Sequence, residues 1–158
     1  MGAVEQSSGA VESYLSALEE SYDSFSINQR TVTVSPEQYD REHERSGAIE
    51  VYTKVENEND EVLYIEANGA VQLPSTRIGI QDSLEPTAKS TVSEQTGVNC
   101  AITDLDTVTI LGLRNEQADD AEALYRLAVL FEAQPTDGTP ATDALWQPYD
   151  PEAQPGYL

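Results

Sequence analysis

Hydrophobic positions in the first third of the chain follow two different periods. Val11, Tyr14, Leu15, Leu18 and Tyr22 fall at i, i+3, i+4, i+7 and i+11, the spacing of one face of an α-helix. Glu12, Ser16, Glu19 and Glu20 take the opposite face. Residues 1–10, small and polar, lack this pattern and are expected to fray. From Phe25 to Val34 the residues are β-branched and alternate, which predicts an extended strand. Ser35-Pro36-Glu37-Gln38 then reads as a helix start. Ser35 can cap, Pro36 suits the first helical position and Gln38 closes a capping box. That helix is expected to run to about Arg45.

The rest reads mainly as strand. Gly47 to Val55 and Val62 to Ile65 predict two strands of a hairpin joined by the loop 56–61. Ala70-Val71-Gln72-Leu73 predicts a short strand stopped by Pro74. Ser83 to Thr96 is the exception. Leu84, Ala88 and Val92 form a helical stripe, Gly97 stands where a C-terminal glycine ends a helix, and either Ser83 or Asp82 supplies the cap. Two long strands follow, Cys100 to Leu113 and Ala123 to Gln134, separated by the acidic loop 115–120. A last short strand covers Ala144 to Gln147. Beyond it Pro148, Pro151 and Pro155 are expected to forbid a further helix.

Composition changes this picture mainly through charge. Twenty-nine Asp and Glu face 8 Lys and Arg, a net charge of −21. Self-repulsion of that size works against compactness in dilute buffer. In molar salt the Debye length falls to about 3 Å and the repulsion is screened. Acidic, lysine-poor surfaces mark proteins of salt-accumulating halophiles, so a haloarchaeal-type protein folding in concentrated salt is the expectation. The same charge argues against nucleic acid or an anionic membrane as a partner, since both need a basic face. A length of 158 residues favours one domain with a sizeable core. Cys100 is the only cysteine, so no intrachain disulfide forms. The opening Met1-Gly2-Ala3-Val4-Glu5 lacks the basic and apolar regions of a secretory signal, and a cytoplasmic location is expected.

Residues 47–147 resemble the Nudix (MutT-like) hydrolase family. The order of elements matches: hairpin, short strand ending in Leu73-Pro74, loop, helix, long hairpin, tryptophan strand. The matching words are Asp82-Ser83-Leu84-Glu85, Glu94-Gln95-Thr96-Gly97-Val98 and Tyr125 to Phe131. The resemblance implies an α/β class fold, an α/β/α sandwich around a mixed sheet, with residues 1–46 as an N-terminal extension and 148–158 as a Pro-rich tail. It also implies hydrolysis of nucleoside diphosphates linked to another moiety, with Mg²⁺ or Mn²⁺ as cofactor.

The family signature, G-x5-E-x7-R-E-U-x-E-E-x-G-U with U aliphatic, can be laid on the chain from Gly97. Its opening glycine then falls on Thr76, its first glutamate on Asp82, its arginine on Ser90 and the following glutamate on Thr91. Val92 fits the aliphatic position, the glutamate pair becomes Glu94 and Gln95, and Gly97 and Val98 fit. Positions 91, 94 and 95 share one helical face, where clustered carboxylates would hold divalent cations against substrate phosphates. Two of the three are neutral here, which makes Glu94 alone a weak Mg²⁺ ligand. In place of the usual Gly-Gly after Leu-Pro stand Ser75-Thr76, which disfavour a close backbone approach.

Each candidate has a plainer reading. Glu94 is either a surviving metal ligand or an exposed helix glutamate. Asp82 suits the positive end of a helix dipole, and Glu85 is first-turn charge. Arg77 and Arg126 are the best placed by type to meet a phosphate in a cation-poor chain, or else pair with carboxylates. His43 reads as a surface residue, Cys100 as a small buried hydrophobe and Trp146 as packing. Three functions follow: a Nudix-fold protein with lost or reduced catalysis that binds a nucleotide-like ligand or a partner; a metal-dependent pyrophosphohydrolase with non-standard ligands, for instance Glu94 with Asp82, Glu85 or a residue of the 116–122 loop; or an interaction module in which residues 11–45 form a dimer arm.

Overall fold

The computed structural model describes residues 3–22, 24–44, 49–78, 83–117, 123–155 and 158, the side chains of 3–11 and 43–44 excepted. Two sheets carry the fold. A five-stranded mixed sheet has the order β1-β6-β7-β2-β5, and a three-stranded antiparallel sheet the order β4-β3-β8. Their strands are β1 Ser26–Val34, β2 Ile49–Val55, β3 Glu61–Ala67, β4 Ala70–Gln72, β5 Ser75–Ile78, β6 Val98–Asn115, β7 Leu124–Gly138 and β8 Ala144–Pro148. The helices are α1 Ala3–Ser21, α2 Pro36–Glu44 and α3 Leu84–Thr96. The fold is therefore α/β with a mixed sheet and helices, as expected.

β6 and β7 form the long antiparallel centre, β1 adds to β6 in parallel and β2 to β7 in parallel. One face of this sheet carries α1 and α3. Leu18 of α1, Ala88 of α3 and the strand residues Ile49, Val51, Leu127, Val129 and Phe131 make a single buried cluster. Tyr14, Leu15 and Tyr22 pack against it half-buried, and the Tyr22 hydroxyl donates to Glu85 Oε2 at 2.5 Å, tying α1 to α3. Burial, and then the Glu85 carboxylate, raise the Tyr22 pKa above its ordinary value. Four residues of the stripe, Tyr14, Leu15, Leu18 and Tyr22, thus pack on the sheet, and the side chain of Val11 lies outside the described residues. The helix starts at Ala3 rather than Val11, because residues 3–10 contain no proline and continue the turn that Leu18 anchors.

Over the opposite face lie α2 at one end and the small sheet at the other. Tyr39 of α2 packs on Val34, Leu111, Leu113 and Leu124. Gln38 N–H donates to Ser35 Oγ at 3.2 Å, the cap read from the sequence. The small sheet closes on Leu130 through Val62, Tyr64 and Leu73. The expected hairpin of residues 47–55 and 62–65 is corrected here. Beyond a single bridge between Glu56 and Val62 the two strands part into different sheets. Asn57 makes the bend, its Oδ1 accepting from the N–H groups of Asn59 and Glu61 at 2.9 and 3.0 Å. β3 turns instead into β4 through Asn68-Gly69, both at positive φ (53° and 79°), the two-residue turn that favours a hairpin. β5, which the sequence reading missed, pairs with β2.

The C-terminal prolines do not prevent all helical structure. Residues 151–153 make one 3-10 turn with Pro151 at its start and the Asp150 side chain accepting from Glu152 N–H at 3.0 Å. This turn docks on the small sheet. Asp150 N–H donates to the hydroxyl of buried Tyr64 at 2.8 Å, and Ala153 packs beside Leu73.

Candidate functional site

α3 has the placement its pattern implied. Ala88 and Val92 are fully buried, Leu84 is half-buried, and Thr91 and Thr96 are buried too. Ser83 stands at the N-cap position, yet its side chain makes no cap hydrogen bond. Gly97 ends the helix at φ 79°, and a side chain there would meet Thr139 O at 2.9 Å. The helix end is held from three directions. Gly97 N–H donates to Ser93 O at 3.0 Å, Ala141 N–H to Thr96 O at 2.7 Å and Val98 N–H to Thr96 Oγ1 at 3.1 Å. The 96–98 segment is thus fixed as a scaffold.

The metal-facing positions of the resemblance have other surroundings. Thr91 points into the protein, while Ser90, Glu94 and Gln95 are exposed. Gln95 spans to β5: its Nε2 donates to Ser75 O at 2.9 Å and its Oε1 accepts from Ser75 N–H at 3.3 Å. Only an amide can do both, because a carboxylate has no proton for the carbonyl. The residue that looked like a neutralised metal ligand is therefore a clamp between α3 and the strand before it. Glu94 borders a shallow depression of about 310 Å³ with Lys89, Ser90, Ser93 and Asn99. Among the described residues no group of three His, Cys, Asp or Glu stands close enough to hold a metal. Asp82, the loop residues 118–122 and the side chain of His43 lie outside the described residues.

Arg77 and Arg126 meet in one place, and it is filled with carboxylate. Glu50 on β2 lies in register with Arg77 on β5, and β7 brings Arg126 alongside. Glu42 reaches in from α2. Glu50 Oε1 receives Arg77 Nη2 and Arg126 Nη1, each at 3.0 Å. Glu42 Oε1 receives Arg77 Nη2 at 3.3 Å, and its other oxygen pairs with Arg126 Nη2. The Tyr52 hydroxyl donates to Glu50 Oε2 at 3.2 Å. Two arginines and two glutamates thus balance to zero. The Arg126 side chain is 6% exposed and the Arg77 side chain 38%. Of the two sequence readings for these arginines, pairing with carboxylates is the one seen. The sequence reading did not single out Glu42 or Glu50. Their signal was weak, a glutamate alternating with apolar residues in Ile49-Glu50-Val51, which normally marks a solvated face.

Two other hollows lie among the described residues. A cleft of about 280 Å³ opens beside the Gln95 clamp, bordered by Glu66, Gln72 and Asp143. A wider one of about 580 Å³ lies beside the end of β2 and the second half of β7, lined by Lys54, Asn57, Glu58, Thr103, Glu132 and Gln134 among others. Lys54 stands 4.4 Å over the Tyr149 ring and 3.8 Å from Glu56. Desolvation, and then Asp106, raise the Glu132 pKa above its ordinary value. Burial likewise raises the Cys100 thiol, and Lys89 pulls it down by less. Neither hollow concentrates positive charge, which a free phosphate would require.

No family model and no curated protein matches the chain. Solved structures similar to it include a NUDIX hydrolase from Nitrosomonas europaea, at 18% identity and TM-score 0.47 over 65% of this chain and 57% of that one. A MutT protein from Methanosarcina mazei Go1 gives 18% identity and TM-score 0.45 over 69% of this chain and 85% of that one. The NUDIX domain of Shewanella oneidensis NrtR, complexed with ADP ribose, gives 17% and 0.44 over 63% of this chain and 71% of that one. This chain spans little more than half of the Nitrosomonas chain. At these scores the likeness carries no argument about chemistry. Among the described residues no helix is long and apolar enough to cross a membrane.

Proposed function

We propose that this chain is a Nudix-like protein of a salt-rich cytoplasm that has given up pyrophosphate hydrolysis and acts by binding. The Gln95 clamp carries this reading. A side chain engaged in two hydrogen bonds to Ser75 is committed to holding α3 on β5, and a glutamate would lose the bond to the carbonyl. Two further observations agree with it. Thr91 is turned inward and leaves Glu94 as the exposed carboxylate of the three positions. Arg77 and Arg126, the cations best suited by type to a phosphate, are engaged with Glu42 and Glu50.

The test is calorimetric titration of Mn²⁺ into the protein in molar KCl, with and without ADP-ribose, alongside a hydrolysis assay. We expect no metal-dependent turnover of ADP-ribose, dinucleotide or nucleoside triphosphate above background. Metal-dependent hydrolysis that disappears in Glu94→Gln would establish an enzyme with a non-standard ligand set instead. Binding of ADP-ribose without turnover would identify a nucleotide-like molecule as the ligand. Absence of both metal and nucleotide binding would point to a protein partner.

A further inference from the structure

β1 forms one edge of the five-stranded sheet, and no described strand pairs with its outer side. It is nine residues long and exposed along most of its length on both faces. Edges of this kind are normally short, charged or covered, because the free N–H and C=O groups recruit another strand. The opposite edge, β5, has only four residues and carries Arg77. Among the described residues three large hydrophobics are exposed, and two of them, Ile27 at 47% and Val32 at 36%, lie on β1. Being five residues apart they point to opposite faces of the sheet. No aspartate or glutamate occurs from Ser24 to Pro36, although the chain carries 29. The single charge in that stretch is Arg30, which is exposed and makes no ion pair with a described residue.

We propose that β1 pairs antiparallel with β1 of a second copy of this chain, joining two five-stranded sheets across a two-fold axis. Charge selects this occupant. Two bodies of −21 each repel wherever acidic surfaces meet, and β1 is a long exposed strand that brings no carboxylate to the seam. A two-fold axis normal to the sheet places a residue opposite its own copy. Centred on Arg30, the register would set two guanidinium groups face to face. Centred on Gln29, it sets Arg30 opposite Asn28 of the second copy and Ile27 opposite Thr31. No like charges then oppose each other; Gln29 and Thr31 both flank the midpoint Arg30, and the proposed register puts Gln29 on the axis. A ladder of this length falls short of the roughly 800 Å² per partner of a stable interface. The second copy therefore also covers Ile27 on one face and Val32 on the other. The joined sheet has ten strands, near the upper limit for an open twisted sheet of about ten.

Sedimentation equilibrium in 2 M KCl tests this. The natural chain should run at twice its 17.3 kDa, and the double substitution Ile27→Glu with Val32→Glu should return it to the single mass. Both side chains are exposed, so the monomer should keep its far-UV spectrum. Gln29→Cys gives a second readout that does not depend on weakening the contact. Residues on the axis lie about 4.5–5.5 Å apart at Cα, within disulfide reach. Mild oxidation should then yield a covalent dimer, while buried Cys100 stays reduced. A dimer unchanged by the double substitution would place the interface elsewhere and overturn the proposal. A monomer at every concentration, with no cross-link through position 29, would also overturn it and leave the edge to a strand of a different protein.

Discussion

The exposed patch on α3 and the buried cluster under α2 use charge in opposite ways. On α3, where the resemblance implies a carboxylate cluster, the chain presents Ser90 and Gln95 beside one glutamate, with Thr91 turned inward. Under α2, where charge is costly to bury, it places Glu42, Glu50 and Arg126 nearly out of solvent and balances them with Arg77. Taking ions from water costs several kcal/mol each unless partners and hydrogen bonds compensate. Here each carboxylate meets two guanidinium groups, and Glu50 meets the Tyr52 hydroxyl as well. A chain with a large surplus of acid thus spends two of its few arginines on architecture. The lesson is that charge abundance does not predict where chemistry sits; the pairing of each charge does.

The sharpest way to break this contrast is to remove Arg126. Arg126→Ala leaves Glu42 and Glu50 sharing Arg77 alone and strands net negative charge in a dry place. The expected loss is about 3–5 kcal/mol, measured by urea unfolding at constant 2 M KCl. Arg77→Ala removes the more exposed partner, where water can take over, and should cost less, about 1–2 kcal/mol. Equal losses at the two positions would show that the cluster is solvated throughout and that burial does not separate them.

The α3 patch should respond more weakly to truncation. Gln95→Ala removes two exposed hydrogen bonds to Ser75 and should cost about 1 kcal/mol. Gln95→Glu is the more informative change, because it restores the carboxylate of the resemblance while deleting the donor to Ser75 O. It should destabilise at least as much as alanine. The triple change Ser90→Arg, Thr91→Glu, Gln95→Glu should raise Mn²⁺ affinity, read by calorimetry, only at the cost of loosening β5 from α3 and of placing a carboxylate at the buried position 91. A stabilising Gln95→Glu would mean that the clamp is incidental.

Much of this was legible in the sequence, and the failures share one cause. α3, its stripe and its Gly97 stop were readable because helical period and a positive-φ glycine are local signals. So was α2, through Ser35 and Pro36. The sheet assignment of β2 and β3 was not, because alternation tells which face a residue takes but not which strand lies beside it. Glu50 was hidden for the same reason: the face of β2 that carries Glu50, Tyr52 and Lys54 reads as wet, and only the packing of α2 and the small sheet makes part of it dry. Gln95 looked like a loss of function because its partner, Ser75, is twenty residues away on a strand the pattern did not reveal. The exposed edge at β1 needed the strand order as well.

The smallest expected effect sharpens the comparison at a third carboxylate, Glu132. It lies half-buried on β7, with the Lys54 ammonium acting against desolvation, Asp106, Asp104 and Glu56. Its pKa is raised, so the folded state favours the protonated form more than the unfolded state does. The sign follows from linkage. Its contribution to stability is fully present below the unfolded pKa and is lost as pH rises through the folded value, which leaves a small penalty at neutral pH. Glu132→Gln keeps the shape and removes the charge. It should therefore stabilise the protein by up to about 0.5 kcal/mol at pH 7, and this gain should fade as pH approaches the ordinary glutamate pKa of about 4.3. Paired urea titrations at pH 7 and pH 4, in the same KCl, read the difference. If the substitution instead destabilises at pH 7, then Lys54 outweighs the crowding. Glu132 would then belong with Glu42 and Glu50 as a compensated charge rather than standing apart from them.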